Sequence, residues 1–177
     1  EIYIDLDDFR EDPPPNFFRL APGKEVRLRY AYVIRCDEVI YDETGRVTEL
    51  RCTYDPATRS GAKAEGRKVK GIIHWVSAKD SIQVEVRLYD RLFAKPIPGS
   101  DDPEGNFLND INQDSIEVLS DCQVEPGIMT AENQEVFQFE RVGYYYPDSV
   151  DSLADAMVFN RTVTLRDTWA RLEQKQT

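Results

Sequence analysis

The sequence predicts an all-β fold, a sandwich or a pair of barrels. Alternation of apolar and polar residues with period two dominates the chain, and Gly, Pro and Asp punctuate the alternating runs. Only Ser149 to Ala156 suggests a short helix. In EVRLRYAYVI, Val26, Leu28, Tyr30 and Tyr32 are expected on one face, with Arg27 and Arg29 projecting together from the other. A hairpin is expected in VIYDETGRVTELRCTYD, turning at Thr44-Gly45. KVKGIIHWVS reads as a strand with Val69, Ile73 and Trp75 in register, and SIQVEVRLYDRLF alternates through Ile82, Val84, Val86 and Leu88. KPIPGSDDPEG is a loop by composition, after which SIEVLSDCQV, EVFQFERVGYYY and MVFNRTVTLRDTW supply the later strands.

At 177 residues the chain can bury roughly two-thirds of its unfolded surface, so a core needs no staples. No run approaches the roughly 18 apolar residues of a membrane-spanning helix, and the acidic start EIYIDLDDFRED lacks a signal-peptide layout. Cys36, Cys52 and Cys122 form no closely spaced pair, which fits a reducing, cytoplasmic setting. The chain begins at Glu1, inside a strand-like IYIDL, and so reads as part of a longer protein.

The net charge of −11 argues against a polyanionic partner, but its distribution reverses that conclusion. Between residues 96 and 140 stand eleven acids and no Lys or Arg, so the remainder is neutral. Within that remainder, Arg19–Arg35 and Arg59–Lys70 each carry five bases against one acid. A local patch feels charges within a Debye length of roughly 8 Å, so either strip can serve an anionic ligand.

Catalytic chemistry finds no footing, and the sequence offers neither a catalytic residue nor a metal ligand. The single histidine, His74, sits in a strand beside Trp75, and a His74, Ser77, Asp80 triad has no oxyanion element nearby. One His and three scattered Cys make no closed zinc site, and no phosphate-cradling glycine loop occurs.

The strings GKEVRLRYAYVI, GRKVKGIIHWVS, VRLYDRLF, FQFER and VFNRTVTLRDTW stand in this order along the chain. In order and spacing they closely resemble the C-terminal anticodon-binding region of the bacterial glutaminyl-tRNA synthetase family, a class I aminoacyl-tRNA synthetase of the Glu/Gln subgroup. The match runs from IYIDLDDFRE to DTWARL, nearly the whole chain. The resemblance implies two β-barrels of the ribosomal protein L25-like kind, approximately 18–97 for one and 1–17 with 98–177 for the other. It implies that the parent's catalytic Rossmann domain, with its ATP, is absent from this segment, which itself carries no cofactor. The implied partners are the anticodon stem-loop of tRNA(Gln) and upstream catalytic and helical domains of the same polypeptide, in a cytoplasmic monomer without a membrane.

The family's residue roles carry over position by position. Arg27 and Arg29 match arginines that attend the first anticodon base, and Arg19 matches one that attends the third. Gln138 and Arg141 of FQFER match the pair on the central uridine, although their spacing puts them on opposite faces of an ideal strand, so a bulge or strand end must bring them together. Arg166 and Thr168 match positions near the stem-loop. The chain departs from the family at PPPNFF, where Phe17 and Phe18 stand in place of an aromatic and a cation, and Asn16 in place of a longer glutamine. Such phenylalanines can exchange charge for stacking. Two other readings remain open: the related barrels of eukaryotic and archaeal-type glutamyl-tRNA synthetases, and a non-catalytic module whose acidic stretch docks a basic protein.

Overall fold

A computed structural model describes residues 1–60, 69–130 and 135–165. Among these the fold is all-β, with no helix longer than a short 3-10 turn. No helix among them is long and apolar enough to cross a membrane.

The chain divides into two compact units, Glu1–Lys79 and Asp80–Thr177. In the first, β1 (Ile2–Tyr3) pairs with β6 (Val76–Ser77). β2 (Glu25–Leu28), β3 (Val33–Tyr41), β4 (Val47–Asp55) and β5 (Ile72–Ile73) form a sheet in the order β4-β3-β2-β5. Leu20, Val26, Leu28, Ile34, Cys36 and Ile73 fill its core. The β3–β4 hairpin turns where the sequence placed it: Gly45 takes a φ of 81°, and the Asp42 carboxylate accepts from the Thr44 and Arg46 amides.

The second unit is one sheet of β7 (Ile82–Tyr89), β8 (Ile116–Val124), β9 (Phe137–Phe139), β10 (Gly143–Pro147) and β11 (Val158–Thr164), ordered β8-β7-β11-β10-β9. Its core joins Val84, Val86, Val124 and Ile128 to Tyr145 and Phe159. Phe139 stacks on Tyr145 with centroids 4.3 Å apart.

Three features differ from the sequence reading. EVRLRYAYVI is two strands, broken at a turn from Leu28 to Ala31 that turns Tyr30 out of the core face. KVKGIIHWVS likewise splits into β5 and β6. Ser149–Ala156 holds no helix: the Asp148 carboxylate takes the Val150 and Asp151 amides at 2.9 Å, and such side-chain capture competes with a helical turn.

Candidate nucleic-acid interface

Within the first unit, the two arginines of VRLR leave the β2 edge together. Arg27 N donates to Gly71 O at 3.0 Å and Arg29 N to Ile73 O at 2.9 Å, so the parallel ladder with β5 runs one residue past the end of β2. Both side chains therefore lie on the face opposite buried Val26 and Leu28, as the spacing predicts. Their heads then part. Arg27 Nη1 donates to the carbonyls of Thr58 at 2.7 Å and Ala31 at 3.4 Å, tying the segment after β4 to the turn. Arg29 places its guanidinium carbon 5.0 Å from the Tyr30 ring centroid and donates to the Tyr30 hydroxyl at 3.2 Å.

The turn that carries this pair is closed by Ala31 N donating to Leu28 O and Leu28 N donating to Tyr32 O. Its third residue, Tyr30, has a φ of 59°, a conformation that glycine or asparagine normally supplies. The Trp75 indole N–H donates to Arg29 O at 3.0 Å and ties the turn to the segment between β5 and β6.

A second cluster in the same unit surrounds Arg19. Arg19 Nη1 donates to Asp7 O at 2.8 Å, and its Nε lies 3.2 Å from the carboxylate of Asp8, whose side chain is only 1% exposed. The Phe17 ring has two guanidinium groups near its centroid, Arg10 at 5.4 Å and Arg19 at 6.0 Å. Lys70 Nζ stands 5.1 Å from the Phe18 ring centroid. A cleft of about 380 Å³ opens here, lined by Pro13, Pro14, Phe17, Phe18, Arg19, Lys24 and Lys70. A lysine from a distant part of the chain thus sets positive charge beside Phe18. Of the strip Arg59–Lys70, residues 61–68 lie outside the described residues.

In the second unit, the end of a strand falls between Gln138 and Arg141. Gln138 is exposed on β9 opposite Tyr144, while Arg141 lies in the turn to β10, where Val142 N donates to Phe139 O at 3.0 Å. Arg141 has a φ of 70° at the third position of that turn. Gly143 follows because β11 passes too close for a side chain: a β-carbon there would meet Val163 O at 2.7 Å. Arg166 and Thr168 lie outside the described residues.

Tyr30 and Arg141 are the two non-glycine residues with positive φ among the described residues, and each stands at the third position of a hairpin turn. Backbone held in a sparsely populated region concentrates at functional sites. The sequence pattern put Tyr30 on one strand face with Val26 and Leu28 and gave Lys70 and Arg10 no role of their own. Nothing local marks Tyr30, whereas the basic strips did mark the neighbourhood of Lys70.

Two family models match the chain, at residues 1–55 and 72–148, and both describe the anticodon-binding domain of class I (E and Q) tRNA synthetases. The chain belongs to that family. The glutamine–tRNA ligase of Stutzerimonas stutzeri is 56% identical over 171 residues, covering 97% of this chain and 31% of that protein. The Pseudomonas putida enzyme of the same name is 56% identical over 169 residues, 96% of this chain and 30% of its own length. That of Pseudomonas aeruginosa is 54% identical over 171 residues, 97% of this chain and 31% of its own. This anticodon-binding chain thus spans about 31% of the curated relatives it matches.

Proposed function

We propose that the chain reads the anticodon loop of tRNA(Gln), and that the longer protein it belongs to is a cytoplasmic, monomeric enzyme that uses ATP in a separate catalytic domain to attach glutamine. The names of the relatives, all glutamine–tRNA ligases at 54% identity or above among those compared, favour glutamine over glutamate. Salt-dependent RNA binding is expected, because phosphate contacts release counterions, whereas an acidic protein-docking module would not prefer one anticodon loop over another.

The observation that carries this reading is the divergence of Arg27 and Arg29. Unpaired bases are recognised by stacking on aromatic or guanidinium planes and by hydrogen bonds to their edges. Arg29 places its guanidinium plane beside an exposed ring, while Arg27 donates to the Thr58 and Ala31 carbonyls. In this reading Arg29 contacts the first anticodon base and Arg27 supports the turn beneath it. Arg19 serves the third base, Gln138 and Arg141 the central one, and Arg166 and Thr168 the stem-loop.

The test compares Arg29→Lys and Arg27→Lys for binding to tRNAs that differ only at the first anticodon position. Arg29→Lys keeps the charge and loses the planar fork, so discrimination at that base falls by about 1–3 kcal/mol, the scale of bidentate base contacts. Arg27→Lys weakens all the tRNAs alike. Equal losses across every anticodon for Arg29→Lys, with Arg29→Ala merely flattening the salt slope, would make Arg29 a phosphate contact.

A further inference from the structure

Tyr30 is the most exposed aromatic side chain among the described residues, at 75%, and it sits in a backbone conformation that costs a side-chain-bearing residue free energy. The ring lies outside the buried cluster of its unit. The core of the unit is filled by Leu20, Val26, Leu28, Ile34, Cys36 and Ile73, and Leu28 and Tyr32 close the turn through backbone hydrogen bonds. The Arg29 guanidinium lies against the ring, with its Nη2 donating to the hydroxyl. An exposed aromatic surface therefore stands at the tip of a hairpin, beside the Arg29 guanidinium.

We propose that Tyr30 is the stacking platform for one unpaired base of the anticodon loop. The ring takes the face of the base and Arg29 takes its edge or the adjacent phosphate. The positive φ of the turn holds the ring away from the core, where the regular strand alternation of EVRLRY would have buried it. Base-to-aromatic stacking is tolerant of base identity, so Tyr30 supplies affinity and orientation while Arg29 supplies discrimination. The inference rests on the reading that this hairpin receives an anticodon loop.

The experiment uses the full-length protein and anticodon stem-loop RNAs of tRNA(Gln) carrying a fluorescent base analogue at one loop position at a time. Tyr30→Gly removes the ring and suits the backbone, so the thermal midpoint holds or rises while affinity falls about ten-fold, and quenching by stacking is lost at one loop position. Tyr30→Phe keeps the quenching, and Tyr30→Asn, also at ease with positive φ, behaves as Tyr30→Gly. Wild-type affinity for Tyr30→Gly with weakened binding for Arg29→Ala would refute the stack and leave the hairpin contact standing. Weakened binding with unchanged fluorescence would make the ring a brace for Arg29 and overturn the proposal. Wild-type binding by both variants would remove the hairpin from the interface altogether, and with it the reading on which the proposal rests.

Discussion

Gly71 lies so close beneath Phe18 that a β-carbon on it would stand 2.1 Å from the Phe18 carbonyl oxygen and 2.9 Å from the carbonyl carbon. The clash is with backbone, which has no rotamer through which to escape. Gly71 also accepts the Arg27 amide at 3.0 Å, so one glycine couples the Phe17–Arg19 segment to the strand that bears the VRLR arginines. Gly71→Ala should therefore cost about 1–3 kcal/mol, the usual scale of overpacking, and weaken RNA binding beyond the loss of folded protein. Chemical denaturation alongside RNA titration checks both parts, and wild-type values in both would remove this coupling.

Arg19 has a structural duty that the sequence does not disclose. Its Nε meets the Asp8 carboxylate at 3.2 Å, and its Nη1 meets the Asp7 carbonyl at 2.8 Å. Because the Asp8 side chain is 1% exposed, withdrawing the guanidinium leaves a carboxylate in a dry site with less compensation. Arg19→Ala is expected to lower stability by about 1–3 kcal/mol, and Arg19→Lys to recover part of it through charge alone. Urea unfolding of the two variants tests this, with an unchanged midpoint for Arg19→Ala as the contrary result.

The strand pattern was legible wherever the turn chemistry was conventional. Thr44-Gly45 announces its hairpin because glycine supplies the positive φ the turn needs. The Leu28–Ala31 turn was invisible because tyrosine occupies the corresponding position and its alternation with Leu28 mimics a continuing strand. FQFERV hid its turn in the same way, behind Arg141. The parallel pairing of β7 with β11 joins segments about seventy residues apart, and no local pattern encodes a partner at that distance. Of the candidate site, the residue types and their order were legible through family resemblance, whereas the different attachments of Arg27 and Arg29 depend on Thr58 and Tyr30 and emerge only in three dimensions.

Acid should loosen the loop at Asp148. The Asp151 amide, the Asn160 side chain, the Val150 amide and the Arg87 charge together lower this carboxylate from the usual 3.8 to about 2. The folded state thus binds the proton less readily than the unfolded chain, so the stabilisation is fully present above about pH 4 and is lost as pH falls toward about 2. Asp148→Asn lacks this titration. Its thermal midpoint should lie below wild type at neutral pH and converge with it as the solution approaches about pH 2. A gap between the two that stays constant across that range would contradict the assignment.

The claim that this chain reads a glutamine anticodon is tested most directly by anticodon exchange. Binding of the full-length protein is measured against tRNA(Gln) and against the same tRNA with only its anticodon bases replaced, at several salt concentrations. The account predicts that the exchange weakens binding by about 1–3 kcal/mol per replaced base while the salt slope stays nearly the same, because phosphate contacts are retained. Equal affinity for the original and exchanged anticodons at every salt concentration would contradict it.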